Sequence, residues 1–229
     1  VCSNSCVYCG FSVEHHIRRR RLTLAEIDRE VAAIKELGFR HLLLVSGEDL
    51  RASSWRYYLE VVKHLRPHFA QLSLEVQPLE TEQYAALGEA GISYVCVYQE
   101  TYHEAAYPKY HLQGKKADYR YRLETPDRIA QAGIPKIGLG ALLGLEEWRT
   151  DSTFTALHLD YLKRRYRQTR YSISLPRLRP AVGGYDPAYP IDDRGVLQLI
   201  LAYRLLDPHL EISLSTRESE TFRNHVLPL

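Results

Sequence analysis

Short apolar segments alternate with longer amphipathic segments along most of the chain. In the first amphipathic segment, apolar residues recur every three or four positions: Leu24, Ile27, Val31, Ile34 and Leu37. This spacing predicts a helix that ends near Gly38, and Thr23 and Glu26 have the spacing of an N-terminal capping box. The next apolar run, 41–45, is short and nearly continuous, which predicts a strand buried on both faces.

The same alternation continues through the rest of the sequence. Further helices are predicted at about 54–66, 81–90, 152–167 and 193–206. Further strands are predicted at about 71–77, 94–99, 136–140, 171–175 and 211–215. The stretches near 101–122 and 177–191 show no clear period, so we predict irregular structure there.

Repeated helix–strand units favour parallel strands joined by right-handed helical crossovers. We therefore expect an α/β fold in which the six strands curl into a complete or partial (β/α) barrel of the TIM type, with a doubly wound open sheet as the alternative. In both architectures, the functional side chains lie where strands end and loops begin.

Composition narrows the function classes. The 229 residues, 45% of them hydrophobic, are enough for one domain over 1–229, and a net charge of +2 does not require a nucleic acid or a membrane surface as partner. No apolar run reaches the roughly 18 residues of a membrane span, and no signal peptide is visible, so we expect a cytoplasmic protein. The lack of methionine indicates a piece of a longer chain.

Three of the four cysteines lie close together in a C-x3-C-x2-C pattern formed by Cys2, Cys6 and Cys9. Three thiolates can hold three irons of a cubane cluster and leave the fourth iron without a protein ligand, which favours a catalytic cluster. A zinc site completed by His15 or His16 and a redox pair of Cys6 and Cys9 are the alternatives.

Polar residues follow several of the predicted strands. Glu48 ends a Ser-Gly-Glu step after strand 41–45, and a carboxylate there can accept from an ammonium group. Glu75 and Glu100 lie at or just after the next two strands. An ordinary solvated strand end is the alternative for each of them. Cys96 lies inside an apolar strand, where a small buried hydrophobe is the commoner role, and it is left out of the site.

The last two predicted strands are followed by arginines and hydroxyls. Arg177 and Arg179 follow strand 171–175, while Ser215 and Arg217 end and follow strand 211–215. An arginine can bind a carboxylate through two parallel hydrogen bonds, and a hydroxyl can orient it. A structural pairing with Glu218 or Asp186 is the alternative.

These motifs in this order resemble those of the radical S-adenosylmethionine (SAM) enzymes. They are the cysteine loop, the Ser-Gly-Glu step, and the segments 99–103 (Gln-Glu-Thr-Tyr-His), 178–180 (Leu-Arg-Pro) and 215–219 (Ser-Thr-Arg-Glu-Ser). Within that superfamily, the chain resembles the 2-iminoacetate synthases, the tyrosine lyases of thiamine thiazole biosynthesis. The resemblance implies a barrel whose first strand, expected before the cysteine loop, is lacking here.

The resemblance also implies a chemistry. Cys2, Cys6 and Cys9 would ligate a [4Fe-4S] cluster whose open iron binds the amino and carboxylate groups of SAM. Reductive cleavage of SAM would give a 5′-deoxyadenosyl radical that takes a hydrogen from the amino group of L-tyrosine. Cleavage of the Cα–Cβ bond would then give 2-iminoacetate and a 4-hydroxybenzyl fragment, released as p-cresol.

Site roles follow from the resemblance only in part. Glu48 is expected to bind the SAM ammonium and Tyr8 to lie near the adenine. Glu75 and Glu100 as further SAM contacts, and Arg217 with Ser215 as the site for the tyrosine carboxylate, are hypotheses from their positions at strand ends. No catalytic acid or base is identified.

The sequence also raises expectations about binding partners, and it leaves two alternative functions open. The resemblance implies thiazole synthase as a protein partner and a reductant such as flavodoxin, with no nucleic acid and no membrane. The close alternative is the tyrosine lyase that matures [FeFe]-hydrogenase. An alternative of another class is a non-catalytic iron–sulfur or zinc-binding protein.

Overall fold

A computed structural model describes residues 1–228, and its main feature is a six-stranded parallel sheet. The strands are β1 (Ser5–Cys6), β2 (His41–Val45), β3 (Gln71–Glu75), β4 (Ile92–Cys96), β5 (His111–Gln113), β6 (Lys136–Gly140), β7 (Arg170–Ser174) and β8 (Glu211–Ser213). The helices are α1 (Leu24–Glu36), α2 (Trp55–Leu65), α3 (Thr81–Glu89), α4 (Tyr107–Tyr110), α5 (Tyr119–Leu123), α6 (Thr125–Gln131), α7 (Trp148–Arg165), α8 (Asp193–Leu206) and α9 (Glu220–Val226), with a 3-10 turn at Lys115–Ala117.

The sheet has the order β2-β3-β4-β6-β7-β8, so each new strand adds to the same edge. A doubly wound sheet would reverse direction at its middle, and this one does not. The sheet curls into a half-barrel, which confirms the expected partial barrel. All six predicted strands and the five predicted helices are present near their predicted positions. No helix in the described part of the chain is long and apolar enough to cross a membrane.

One prediction about a strand was wrong. β2 was expected to be buried on both faces, but Leu43 is 43% exposed and Val45 is 64% exposed. The reason is position, because β2 forms one edge of the sheet and pairs only with β3. The local sequence determines that the run is apolar, but the sheet topology determines whether a second strand lies beside it.

The two faces of the sheet differ in chemistry. On the outer face, apolar side chains pack under the helices: Leu72, Leu74, Val95, Val97, Ile137, Leu139, Tyr171 and Ile173. Burying a side chain of this size contributes about 1.5–3 kcal/mol, so this layer accounts for much of the stability. Because side chains alternate along a strand, the inner face carries the other set, which is polar or small: Ser73, Glu75, Tyr94, Cys96, Tyr98, Gly138, Gly140, Ser172, Ser174 and Ser213.

The stretch 101–122, predicted to be irregular, is partly ordered. It contains α4, β5, the 3-10 turn and most of α5, and β5 pairs antiparallel with β1 in the cysteine loop. These elements are three to five residues long, too short to leave a hydrophobic period in the sequence. By contrast, 177–191 has no helix or strand, as predicted. The assignment of 1–229 to a single barrel core stays a prediction.

Candidate functional site

The three motif cysteines line one cavity of about 600 Å³ at the carboxyl ends of the first strands of the sheet. Cys2, Cys6 and Cys9 are all free thiols. The predicted residues Glu48, Glu75 and Glu100 line the same cavity, and so do three residues that sequence reasoning did not place there: Cys96, Lys116 and Arg122.

The cysteine loop is fastened to the sheet by backbone and side-chain contacts. The backbone N–H of Ser3 donates to the carbonyl of Glu48 over 2.9 Å, and the Asn4 amide donates to Oε2 of Glu48 over 2.9 Å. Gly47 lies directly under the loop, where a Cβ atom would meet the carbonyl oxygen of Val1 and come within 2.8 Å of Cys2 Cβ. The glycine of the Ser-Gly-Glu step is therefore required for the loop to lie this close.

The donor set fits an iron–sulfur cluster. Burial raises the pKa of Cys6 to about 12 and also raises that of Cys9, so both carry protons at neutral pH until a metal replaces them. Within residues 1–228, no three His, Cys, Asp or Glu side chains converge on the position of one metal ion. A cubane cluster does not need such convergence, since each thiolate binds a different iron.

A buried ion network closes the other side of the cavity. Nη1 of Arg122 lies 2.7 Å from Oε1 of Glu48, and Nζ of Lys116 lies 2.6 Å from Oε1 of Glu100. Nη2 of Arg122 is 3.7 Å from that same Glu100 oxygen, so the arginine bridges both carboxylates. Burial alone would raise the pKa of Glu48, but Arg122 and Lys116 hold it below its usual value. Glu48 is therefore ionised at neutral pH, and both carboxylates lie against cationic side chains.

Glu100 also has an unusual backbone. It is the single non-glycine residue with positive φ among the described residues, at 72°. Its carbonyl accepts from the N–H of Leu142 over 2.7 Å, and Lys116 fixes its side chain. Left-handed backbone at a non-glycine residue is costly and persists where the surroundings impose it, as at ligand sites.

Tyr8 lies behind the cysteines. Its hydroxyl is 2.9 Å from Nε2 of His111. Burial lowers the pKa of His111 to about 3, so the ring is neutral. Nδ1 of the ring donates to the carbonyl of Tyr107 over 3.1 Å, so Nε2 accepts from the Tyr8 hydroxyl. Tyr8 lines a second cavity of about 660 Å³, and Cys9 lines both cavities. The cysteine loop thus forms part of the wall between the two.

The second cavity contains Arg217, which donates from Nη2 to the carbonyl of Pro180 over 2.7 Å. The Ser215 hydroxyl accepts from the N–H of Arg217 over 3.2 Å. No carboxylate in residues 1–228 forms an ion pair with Arg217, whereas Arg177 and Arg179 are both paired with the buried Glu218. The structural alternative is thus right for those two arginines.

Lys116 and Arg122 were missed because they lie in the stretch predicted to be irregular, where a charged side chain is normally solvated. Asn4 was missed because an asparagine between two cysteines has no distinctive spacing. The sequence signal for these cations was indirect. Glutamates buried at strand ends need cationic partners, but the sequence does not say which residues those partners are.

Family models match both parts of this arrangement. A model described as the Radical SAM superfamily matches residues 1–157, which include the cysteine loop, Glu48, Glu75 and Glu100. The chain belongs to the radical SAM superfamily. A second model, the Biotin and Thiamin Synthesis associated domain, matches residues 174–229 of this radical SAM chain, including Ser215 and Arg217. Membership implies SAM and an iron–sulfur cluster as cofactors.

Known relatives are similar over the whole radical SAM chain. It is 54% identical to the 2-iminoacetate synthase of Escherichia coli (strain K12) and 52% identical to that of Salmonella typhimurium (strain LT2), in each case over 100% of this chain and 61% of the relative. The crystal structure of the FeFe-hydrogenase maturase HydG from Carboxydothermus hydrogenoformans matches with a TM-score of 0.95 and 32% identity, over 100% of this chain and 54% of that one. The chain thus spans less than two thirds of the length of these relatives.

Proposed function

We propose that this chain is the barrel core of a 2-iminoacetate synthase, a carbon–carbon lyase that cleaves the Cα–Cβ bond of L-tyrosine to 2-iminoacetate and p-cresol. The observation that carries the proposal is identity of 54% and 52% to two such enzymes across the entire chain. The cavity that joins three free cysteines to a charged glutamate network supports it.

Cys2, Cys6 and Cys9 hold three irons of a [4Fe-4S] cluster in this proposal. When bound, the cluster and SAM supply the radical that removes a hydrogen atom from the substrate. The protein orients these groups and keeps water out. Asn4 and Ser3 help here by tying the cysteine loop to Glu48.

Four residues are proposed to contact SAM. Glu48 is ionised and accepts from Arg122 and Asn4, and its carboxylate keeps further lone pairs for the SAM ammonium. Glu75 and Glu100 line the same cavity, and Tyr8 lies behind the cysteines, where the adenine is expected. Because Arg122 and Lys116 already balance Glu48 and Glu100, the network fixes the positions of these carboxylates before the ligand arrives.

Arg217 and Ser215 are proposed to bind the carboxylate of L-tyrosine. Arg217 has no ion-pair partner within residues 1–228, whereas Arg177 and Arg179 both form ion pairs with Glu218. Arg217 lines the second cavity, whose wall includes the cluster ligand Cys9. A substrate held there would extend toward the cluster loop.

The test is anaerobic reconstitution of the full-length protein with iron, sulfide, SAM, L-tyrosine and a one-electron reductant. Formation of 5′-deoxyadenosine, p-cresol and glyoxylate, the hydrolysis product of 2-iminoacetate, is expected. Arg217→Ala should raise KM for tyrosine. Arg223→Ala is the matched control, because Arg223 also donates to a backbone carbonyl, that of Thr216, but does not line the cavity. An unchanged KM in Arg217→Ala would remove the substrate assignment.

A second candidate is the tyrosine lyase reaction of [FeFe]-hydrogenase maturation, favoured by the TM-score of 0.95 to HydG. The lower identity of 32% makes it the weaker candidate. Release of cyanide or carbon monoxide in the same reconstitution would favour it. Thiazole synthase as the acceptor of 2-iminoacetate, and a flavodoxin-type reductant, are part of the main proposal; a pull-down of thiazole synthase by the full-length protein tests the former.

A further inference from the structure

Four consecutive arginines at 18–21 follow the cysteine loop and have no role in the proposed binding sites. Arginines on a surface are usually solvated, and three of the four are exposed: Arg18, Arg20 and Arg21. Arg19 differs from them because it is half-buried. Arg20 pairs with Glu26, whereas no carboxylate within residues 1–228 forms an ion pair with Arg19. A half-buried guanidinium needs other acceptors.

The acceptors of Arg19 are three backbone carbonyls that follow the third motif cysteine. Nη1 of Arg19 donates to the carbonyl of Phe11 over 3.0 Å. Nη2 donates to the carbonyl of Ser12 over 2.6 Å and to that of His15 over 3.2 Å. The planar fork of a guanidinium is suited to holding several acceptors at once. One side chain thus holds the backbone that leaves Cys9.

This backbone belongs to a tight turn over residues 9–12, which we call the exit turn. The N–H of Ser12 closes it by donating to the carbonyl of Cys9 over 2.9 Å. Inside the turn, the N–H of Phe11 donates to Sγ of Cys9 over 3.4 Å. The Ser12 hydroxyl also accepts from the N–H of Cys6 over 2.9 Å. Hydrogen bonds therefore join the exit turn to two of the three motif cysteines.

Packing contributes little to the exit turn. The side chain of Phe11 is 66% exposed, that of Val13 is 43% exposed, and Gly10 has none. A segment with few buried apolar contacts opens easily unless hydrogen bonds hold it. Arg19 supplies such bonds at the carbonyl of Phe11 and at the carbonyl of Ser12, on the C-terminal side of the N–H that faces Cys9.

We infer that Arg19 is a positioning residue that holds the Phe11 N–H against Sγ of Cys9 and thereby raises the reduction potential of the cluster. The inference rests on one element of the proposed function, the assignment of Cys9 as a cluster ligand. Reduction takes one electron from the external one-electron reductant, adds one negative charge and changes no covalent bond. Hydrogen bonds to the sulfurs set the potential of a cluster, because the positive end of an N–H dipole stabilises the more negative, reduced form.

The first test needs no cluster. Amide hydrogen exchange is followed by mass spectrometry on peptides that cover residues 6–13 of the full-length, cluster-free protein. In Arg19→Gln, this segment should exchange about tenfold faster than in wild type, because charge-assisted hydrogen bonds are lost. Arg20→Gln is the matched control, since it removes the same charge from a side chain that donates to Glu26 and should leave the rate unchanged. Equal rates in wild type and Arg19→Gln overturn the positioning role.

The second test measures the potential of the reconstituted cluster in the absence of SAM, by redox titration with detection of the reduced form by electron paramagnetic resonance. In Arg19→Gln, the equilibrium constant for one-electron reduction should fall by about tenfold, which makes the potential about 59 mV more negative. Arg20→Gln should stay at the wild-type potential. Equal shifts in the two variants overturn the inference, because charge at a distance then accounts for the effect.

Arg19→Lys separates the charge of Arg19 from its geometry. The lysine keeps the positive charge but replaces the planar fork by a single ammonium group, so the potential should stay close to that of Arg19→Gln. A wild-type potential in Arg19→Lys overturns the positioning role. If Arg19→Gln takes up no cluster, Arg19→Lys carries the potential measurement, and the exchange rates of cluster-free Arg19→Gln still decide whether Arg19 holds the exit turn.

Failure of the inference and failure of the proposed function give different results. A wild-type protein that takes up a cluster but forms no p-cresol refutes the lyase function and leaves the inference intact, because neither measurement uses substrate. A protein that forms p-cresol, and whose potential does not change in Arg19→Gln, overturns the inference alone. A wild-type protein that takes up no cluster refutes the assignment of Cys9 as a ligand, and the effect on the potential with it.

Discussion

Arg122 is the side chain on which the cavity depends most. Its guanidinium pairs with Glu48 at 2.7 Å, lies 3.7 Å from Glu100 and donates through Nε to the carbonyl of Tyr98 over 2.6 Å. We predict that Arg122→Leu leaves Glu48 buried with only Asn4 as a partner, while Lys116 still balances Glu100.

The magnitude follows from that geometry. Removing one member of a buried ion pair costs about 3–5 kcal/mol, because the remaining charge stays desolvated. The lost hydrogen bond to Tyr98 adds to this cost but is not independent of it. We therefore expect the free energy of unfolding to fall by about 3–5 kcal/mol at pH 7.5, measured by urea denaturation.

The direction in which the stability loss changes with pH follows from the pKa of Glu48. In the wild type, the pKa of Glu48 is lowered, so its contribution to stability is present above its unfolded pKa and is lost as the pH falls through its folded value. In Arg122→Leu, burial is no longer opposed by Arg122 and raises that pKa, so protonation relieves the penalty as the pH falls. The stability difference between the two proteins should shrink from pH 7.5 toward pH 5.

Two controls make the prediction refutable. Arg128→Leu removes a nearby half-buried arginine that donates to backbone carbonyls and has no carboxylate partner in residues 1–228, so its loss should be smaller and independent of pH over this range. The double variant Glu48→Gln, Arg122→Leu should recover part of the loss. A loss below about 1 kcal/mol in Arg122→Leu, or one that does not change with pH, would refute the account of a balanced buried charge.

Three further predictions concern separate parts of the fold. Gly47→Ala should lower the iron and sulfide content after reconstitution, because its Cβ would displace the cysteine loop, while the circular dichroism spectrum stays unchanged. Gly10→Ala is the control: its Cβ would make ordinary contacts of 3.5 Å or more, so its iron and sulfide content should match that of wild type. Asp151 is buried and its pKa is raised from 3.8 to about 6, so its charge destabilises the fold increasingly as the pH rises from about 4 to 7. The free energy of unfolding of Asp151→Asn should therefore rise by about 2–3 kcal/mol relative to that of wild type across this range in urea titrations. A constant difference between the two proteins would contradict this prediction. Leu74→Ala should cost about 2–5 kcal/mol in the same assay, since Leu74 is fully buried under the helices, and a loss under about 1 kcal/mol would argue against that packing.

The sequence predicted the helices and strands that have a hydrophobic periodicity, and it singled out the cysteines that lie close together in the chain. The capping box at Thr23 and Glu26 marked the start of α1, and the cysteine spacing marked the loop that lines the cavity. Glu48, Glu75 and Glu100 were found by a general rule, because strand ends of a parallel sheet meet at one edge.

The rest depends on contacts between distant segments. Arg122 reaches Glu48 from 74 positions away, and neither residue has a local pattern that names the other. The positive φ of Glu100 is imposed by its neighbours and not by its own residue type. Cys96 looked like a core residue because its strand is apolar, yet alternation turns it toward the cavity, a choice that the sequence leaves open until the outer face is known.

The pairing of β1 with β5 bears on how the protein matures in the cell. Ser5 pairs with Gln113, so the segment that anchors the cysteine loop leaves the ribosome more than a hundred residues after the loop itself. At about 5–20 residues per second, this delay is roughly 5–20 s. During that interval the loop can be held only by its contacts with Glu48, and a cluster delivered then would meet a loop without its β5 anchor. Metal delivery to this chain should therefore follow synthesis of the barrel rather than accompany it.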